Sequence, residues 1–472
     1  MDAVNLNAAE LLSEAGIKFG TSGARGLVEA FSDEICGAFT SSFLTVMREK
    51  YAFKSLALAI DRRPSSPAMA AACAGMAKAM GFQVDYYGIL PTPALALQAL
   101  RVGVPAIMIT GSHIPFDRNG IKFYRPDGEI TKADELQISS CTEPLISFTP
   151  ELPSVVTAAQ ESYVQRYLEM FPAEMLKGWK IGLYEHSAAG RNISREILKA
   201  FGAQVISLGR SEYFVPIDTE AVSQEDLQRG KLWSSEYAFD AILSTDGDGD
   251  RPLVADENGV WLRGDILGLI CASELDIKAL AVPVSCNTAI EATGAFTEVL
   301  RTKIGSPFVI EAMQKLREHH SRVAGFEANG GFLIDDLPTR DAILPALALF
   351  KAAQDKSLPI SKLVEQLPQR FTASDRLQNI PTETSKGYLE AWQSHPEQAI
   401  KDLNLPSLVK QTDITDGLRM LLENGEIVHL RPSGNAPELR CYVESSDNKG
   451  AAELLGQILD NLKLHMNERP MS

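Results

Sequence analysis

The chain has 472 residues, 45% hydrophobic and 22% charged, which is ordinary globular composition in a length too great for one core. Its net charge of −16 disfavours sequence-independent binding to nucleic acid or anionic lipid, and no apolar run approaches the ~20 residues that span a bilayer. Cys36, Cys73, Cys141, Cys271, Cys286 and Cys441 stand at no short spacing, which argues against a zinc module or disulfide framework and for free thiols in a reducing cytoplasm.

Met1 to Lys18 carries acidic residues and no basic stretch before an apolar core, so no signal peptide is expected. Leu56 to Ile60 reads as a strand. Ser66 as N-cap with Pro67 at the first helical position then starts a helix that runs to Met80 and ends at Gly81. Phe82 to Tyr87 and Ala106 to Thr110 read as further strands. Asn119-Gly120 reads as a turn leading into Ile121 to Tyr124, and Asp127-Gly128 as a second turn. The α/β rhythm restarts after residue 152, with strands at Ile181 to Tyr184, Gln204 to Ser207 and Ala241 to Ser244 and a helix over Ser194 to Phe201. It restarts again after residue 262, with strands at Ala279 to Ser285 and Arg322 to Phe326 and a helix from Arg340 to Ala353. From residue 371, alternating strands (Leu418 to Leu422, Glu426 to Arg431, Leu439 to Glu444) precede a helix near Lys449. The expected architecture is three related α/β domains, 1–152, 153–262 and 263–370, plus a C-terminal α+β domain, 371–472.

Ligands of open α/β sheets gather beyond the carboxyl ends of strands, and each unusual motif falls at such an end. Thr110-Gly111-Ser112-His113-Ile114-Pro115 offers a hydroxyl beside an imidazole, as a nucleophile would, though a helix cap or polar turn fits the same residues. Asp246-Gly247-Asp248-Gly249-Asp250-Arg251 is more specific. Three carboxylates at alternate positions repel one another unless a hard cation such as Mg²⁺ or Ca²⁺ sits among them. A calcium loop would place Glu257 at its twelfth position, but Arg251 stands where that loop needs glycine, and the flanks read as strands. Glu327 and Asn329, framed by Gly325, Gly330 and Gly331, suit hydrogen bonds to sugar hydroxyls. Arg431-Pro432-Ser433-Gly434-Asn435 could cradle a phosphate. Ordinary turns fit both of these segments as well. The Gly-rich segment Phe19 to Gly26 lacks a Walker ending.

In order and separation these segments resemble the α-D-phosphohexomutase family, which includes phosphomannomutases, phosphoglucomutases and phosphoglucosamine mutases. The resemblance runs from Phe19 to Glu444 and implies that the four domains surround a central cleft. It implies that Ser112 is the phosphorylated residue, and that Mg²⁺ is held by Asp246, Asp248, Asp250 and a phosphate oxygen on Ser112. It also implies that Arg25, His113 and Arg251 flank the phosphoserine and that Lys122 assists proton transfer. Glu327 and Asn329 would recognise the sugar, while Arg431, Ser433, Gly434 and Asn435 would grip the phosphate not being transferred. Ile114 stands where the family usually has Asn. Asn329 and Gly331 stand where the sugar loop usually has Ser and His, and Asn435 and Ala436 replace a Thr-Glu pair. The implied reaction interconverts hexose 1-phosphate and hexose 6-phosphate through a hexose 1,6-bisphosphate. Mannose ranks first, ahead of glucose and glucosamine. The partner is then a small hexose phosphate, with no nucleic acid or membrane. The residues leave two rivals open: a phosphatase using the same aspartate loop, and a non-catalytic sugar-phosphate or metal-binding module.

Overall fold

The computed structural model describes residues 7–20, 23–433 and 437–468. The chain divides into two compact units, Met1–Asp276 with Ala324–Leu363, and Ile277–Val323 with Val364–Ser472.

In the first unit, three parallel strands, Gln83–Ile89, Ser55–Ile60 and Ala106–Ile109, form the heart of a seven-stranded sheet. Arg118–Arg125, Ala24–Leu27 and Lys18–Phe19 extend it antiparallel. The helix Asp33–Lys50 covers this sheet. Its N-cap Ser32 accepts from the Ile35 amide, and Asp33 and Glu34 sit at its positive end with Arg48 and Lys50 at its negative end. Its buried face carries Phe39, Phe43, Leu44 and Met47, with the Phe43 ring 4.9 Å from that of Phe123 on the sheet. Truncating Phe43 to Ala would cost about 3–5 kcal/mol.

Two sequence expectations are corrected here. Asn119-Gly120 is not a turn but lies inside the strand Arg118–Arg125, paired with Gly26 and Arg25, and the Gly120 carbonyl accepts from the Thr110 amide at 3.0 Å. The Asn119 side-chain amide donates to the hydroxyls of Ser65 (2.8 Å) and Ser66 (3.0 Å), so this turn-forming residue is satisfied within the sheet. Ser66 is not the N-cap. Ser65 is, and Ser66 begins the helix Ser66–Ala79 and donates to Asp61 at 2.6 Å.

The second sheet runs Pro252–Ala255, Ala241–Thr245, Lys180–Tyr184, Gln204–Leu208, parallel except at the first pair. Phe332–Ile334 pairs antiparallel with Val323–Phe326 and with Leu337–Asp341. Arg340 therefore belongs to a strand, and the helix expected from Arg340 starts at Ile343. The charged Arg340-Asp341 pair ends the strand rather than flanking an amphipathic helix. The helix Gly264–Glu274 lies close to Phe326: a Cβ on Gly268 would fall 2.6 Å from that ring.

In the second unit, Ala279–Pro283 pairs parallel with Glu298–Thr302, followed by the helix Ser306–Arg317. A five-stranded antiparallel sheet runs Phe371–Gln378, Glu438–Ser445, Ile427–Pro432, Leu418–Leu422, Val409–Asp413. The helices Thr382–Ser394 and Asn448–Glu468 belong to the same unit, and its core includes Trp392, Leu430, Val443 and Ile458. Among the described residues, no helix is long and apolar enough to cross a membrane.

Candidate active site

Ser112 follows the strand Ala106–Ile109 and is fully buried. Its φ is +54°, a left-handed conformation that costs a non-glycine residue about 1–3 kcal/mol unless the surroundings hold it. They do. The Ser112 amide donates to Thr110 Oγ1 (2.8 Å), whose hydroxyl donates to Asp61 Oδ2 (2.9 Å). The buried Arg63 guanidinium donates to the carbonyls of Ser112 (3.0 Å), Pro115 (2.7 Å) and Arg118 (2.9 Å). Phe214 stacks on its far face, with Cζ 3.9 Å from the ring centroid. Gly111 must lack a side chain, because a Cβ there would lie 2.6 Å from the Arg63 guanidinium.

The aspartate loop joins the antiparallel strands Ala241–Thr245 and Pro252–Ala255, closed by a hydrogen bond from the Asp246 amide to the Arg251 carbonyl (3.0 Å). Gly249 adopts φ +72°, while Gly247 is small because a Cβ would meet the Ser112 carbonyl at 2.8 Å. The result is convergence: Asp246, Asp248 and Asp250 are all buried and offer ligand oxygens within 4.8 Å of one another. The Ser112 hydroxyl donates to Asp246 Oδ2 at 2.6 Å. Asp248 Oδ1 and Asp250 Oδ1 are buried without a hydrogen-bond partner. Such oxygens are costly unless a cation takes them, and three carboxylates suit a hard divalent ion.

The calcium-loop alternative does not fit this geometry. Both flanks are strands, and the Glu257 carboxylate accepts from the Ser361 amide (3.2 Å).

Around the triad stand four cationic side chains. Lys122 Nζ donates to Asp248 (2.6 Å) and Asp250 (2.7 Å), and Arg340 donates to Asp250 (2.8 Å) and to Glu327 (3.0 Å). Arg251 donates to His113 Nδ1 (3.1 Å). Arg25, paired with Gly120 across the sheet, is pulled down to about 10 by burial and then by Arg251. Four cationic side chains thus stand against four carboxylates, Asp246, Asp248, Asp250 and Glu327, within an acidic protein. Burial, reinforced by Asp248 and Asp250, pushes the Asp246 carboxyl well above the ordinary carboxylate range. Burial opposes ionisation of Asp248 and Asp250 as well, but Lys122, joined at Asp250 by Arg340, holds both below it.

Burial, followed by Arg251, drives the His113 imidazole down to about 3, so it is neutral near pH 7. Since a guanidinium can only donate, His113 Nδ1 is an acceptor already engaged by Arg251. The Ser112 hydroxyl, 3.3 Å from that nitrogen, directs its proton to Asp246 instead.

Glu327 and Asn329 follow the strand Val323–Phe326, both buried. Asn329 Oδ1 accepts from the Gly331 amide (3.0 Å), and its carbonyl accepts from Thr219 Oγ1 (3.1 Å). In the second unit, Arg431 pairs with Asp416 (2.8 Å), and the amide of buried Ser433 donates to Glu438 (2.8 Å). Gly434 and Asn435 lie outside the described residues. The first unit therefore brings together Ser112, His113, Lys122, Arg25, Arg251, the three aspartates and Glu327. Sequence reasoning missed Asp61, Arg63, Thr92, Thr110, Phe214 and Arg340. Thr92 donates to Asp248 Oδ2 at 2.8 Å. The charged cluster Asp61-Arg62-Arg63 after a strand end was the available signal for the first two.

The phosphoglucomutase/phosphomannomutase family models match this chain in four pieces: α/β/α domain I over residues 16–145, domain II over 161–259, domain III over 263–371 and the C-terminal domain over 377–461. These are the three α/β domains and the C-terminal domain of the expected fold class. A phosphomannomutase of Salmonella muenchen is 50% identical over 469 residues, covering 97% of this chain and 98% of that protein. A phosphomannomutase of Sinorhizobium fredii is 43% identical over 475 residues, covering 96% of this chain and 100% of that protein. The crystal structure of a phosphoglucomutase/phosphomannomutase family protein from Burkholderia thailandensis shares the fold, with a TM-score of 0.74 at 19% identity over 96% of this chain and 98% of that one. The chain belongs to the phosphoglucomutase/phosphomannomutase family and is a phosphohexomutase, an intramolecular phosphotransferase.

Proposed function

We propose that this chain is a phosphomannomutase, interconverting mannose 1-phosphate and mannose 6-phosphate through a phosphorylated Ser112 and a hexose 1,6-bisphosphate. The substrate rests on the two relatives that carry that name. The observation that carries the chemistry is the Ser112 hydroxyl on Asp246, beside two buried aspartate oxygens that accept no hydrogen bond.

Phosphoserine adds about −1.5 to −2 charges at pH 7, and the sugar phosphate brings a similar load. Mg²⁺ held by Asp246, Asp248, Asp250 and an oxygen on Ser112 would supply the charge stabilisation that phosphoryl transfer needs. Arg25 and Arg251 add fixed positive charge beside the transferred group. Asp246, the acceptor of the Ser112 hydroxyl, takes its proton when that hydroxyl attacks the bisphosphate and returns it when phosphoserine gives up its phosphoryl group, and His113 is a neutral acceptor that orients Arg251. Lys122 neutralises Asp248 and Asp250, and from beside the aspartates it carries a proton to or from the sugar oxygen. Glu327 and Asn329 address the sugar hydroxyls, and Arg431, Ser433, Gly434 and Asn435 address the other phosphate. The six free thiols suit a reducing cytoplasm.

The test is kcat/KM for mannose, glucose and glucosamine 1-phosphates with Mg²⁺ and the matching bisphosphate. Mannose 1-phosphate should lead. A larger value for glucosamine 1-phosphate, or release of inorganic phosphate at the rate of substrate loss, would overturn the reading.

A further inference from the structure

Glu327 is a carboxylate only 4% exposed. A buried carboxylate with no partner turns toward water, and that movement spoils its aim at sugar hydroxyls. Arg340 prevents this. Nη1 of its guanidinium donates to Glu327 Oε2 at 3.0 Å, and Nη2 donates to Asp250 Oδ2 at 2.8 Å with Nε at 3.3 Å. One planar fork thus spans the sugar loop and the aspartate loop, a geometry that a lysine ammonium cannot reproduce. The adjacent acid does not compete for it, because Asp341 accepts from Tyr163 and Tyr167.

The stem of Arg340 explains a departure seen in the sequence. Gly331 has no left-handed backbone that would demand glycine. Space demands it instead: a Cβ at 331 would lie 2.6, 2.8 and 2.9 Å from Cδ, Cγ and Cβ of Arg340. On its other side the loop backbone is pinned by the helix Gly264–Glu274, where a Cβ on Gly264 would fall 2.3 Å from the Gly330 amide nitrogen. With the loop fixed there, an added side chain at 331 must move Arg340.

We propose that Arg340 is a positioning residue for sugar recognition, holding the Glu327 carboxylate and tying the sugar loop to Asp250 in room that Gly331 leaves open. This rests on the phosphomannomutase reading above. Arg340→Lys keeps the charge but loses the fork, so Glu327 is held less firmly. KM for mannose 1-phosphate rises about tenfold, the equivalent of one charge-assisted hydrogen bond, while kcat falls less than about threefold. Gly331→Ala, which keeps both charged partners, raises KM in the same way. Adding Gly331→Ala to Arg340→Gln changes KM little further, because the stem it collides with is already displaced.

The experiment measures kcat and KM of the wild type and these variants, with the Kd of mannose 6-phosphate from calorimetry. Equal losses in kcat and KM that simply add between positions 331 and 340, or an unchanged KM in Arg340→Lys, overturn the proposal. Should Arg340→Lys fail to fold, Gly331→Ala alone decides through its KM and Kd. A wild type with no mutase activity defeats the phosphomannomutase reading instead, and the Arg340 proposal is then decided by Kd alone.

Discussion

The Ser112 hydroxyl lies 2.6 Å from Asp246 Oδ2, although the two residues are 134 positions apart in the chain. One comes from the end of a strand in the first sheet and the other from the end of a strand in the second. An ion bound by the aspartates can therefore also reach a group carried on the serine. The sequence expectation that most needed this meeting is the assignment of Ser112 and the aspartates to one centre.

Metal dependence follows from the two buried aspartate oxygens that accept no hydrogen bond. Chelation should abolish turnover and Mg²⁺ should restore it, while Mg²⁺ alone should raise the melting temperature by mass action. Asp248→Asn should weaken Mg²⁺ binding by about tenfold or more, worth ~1.4 kcal/mol or more, as read by calorimetry. Undiminished affinity in Asp248→Asn would remove that residue from the ligand set.

The Asp61, Thr110 and Arg63 network should act on kcat through the backbone of Ser112. Thr110→Val keeps the shape but removes the acceptor for the Ser112 amide, an expected loss of about 1–3 kcal/mol. If that strain is felt at the reacting oxygen, kcat falls by roughly tenfold or more while KM moves less than about twofold. Thr110→Ser, which keeps the oxygen, should retain most of the rate. A kcat unchanged in Thr110→Val but reduced in Thr110→Ser would show that the methyl, not the hydrogen bond, matters.

Much of this site could be read from the sequence. Carboxylates at alternate positions and a Ser-His pair at a strand end are local signals, and local signals survive without coordinates. Arg340 was not legible, because an Arg beside an apolar run reads as a helix flank, and only pairing with Phe332–Ile334 makes it a strand residue. Asn119-Gly120 misled for the converse reason. Its turn propensity is overridden by pairing with Arg25 and Gly26, by the Thr110 amide on the Gly120 carbonyl (3.0 Å) and by the Ser65 and Ser66 hydroxyls. Gly331 looked like the simple loss of a side chain until the Arg340 stem was seen to fill its space.

Acid sensitivity should come from two buried histidines. His186 Nε2 donates to the Thr245 carbonyl at 2.8 Å and His429 Nε2 to the Asp416 carbonyl at 2.6 Å, which leaves both Nδ1 atoms buried without partners. Protonation would bury an unsatisfied charge, so burial lowers each from 6.5 to about 4. In that interval the unfolded chain binds more protons. Stability is therefore fully present above pH 6.5 and is lost as pH falls toward 4, by up to about 3 kcal/mol per histidine. Urea midpoints should drop over this range, and His429→Gln should flatten the fall. A flat wild-type profile between pH 6.5 and 4.5 would contradict the assignment.

The most direct measurement is the intact mass of the protein after incubation with Mg²⁺ and a hexose 1,6-bisphosphate, with the label mapped by peptide digestion. The account predicts a gain of one phosphoryl group on Ser112, lost when mannose 1-phosphate is added, and neither label nor turnover in Ser112→Ala. A phosphoryl group on another residue, or near wild-type turnover in Ser112→Ala, would contradict it.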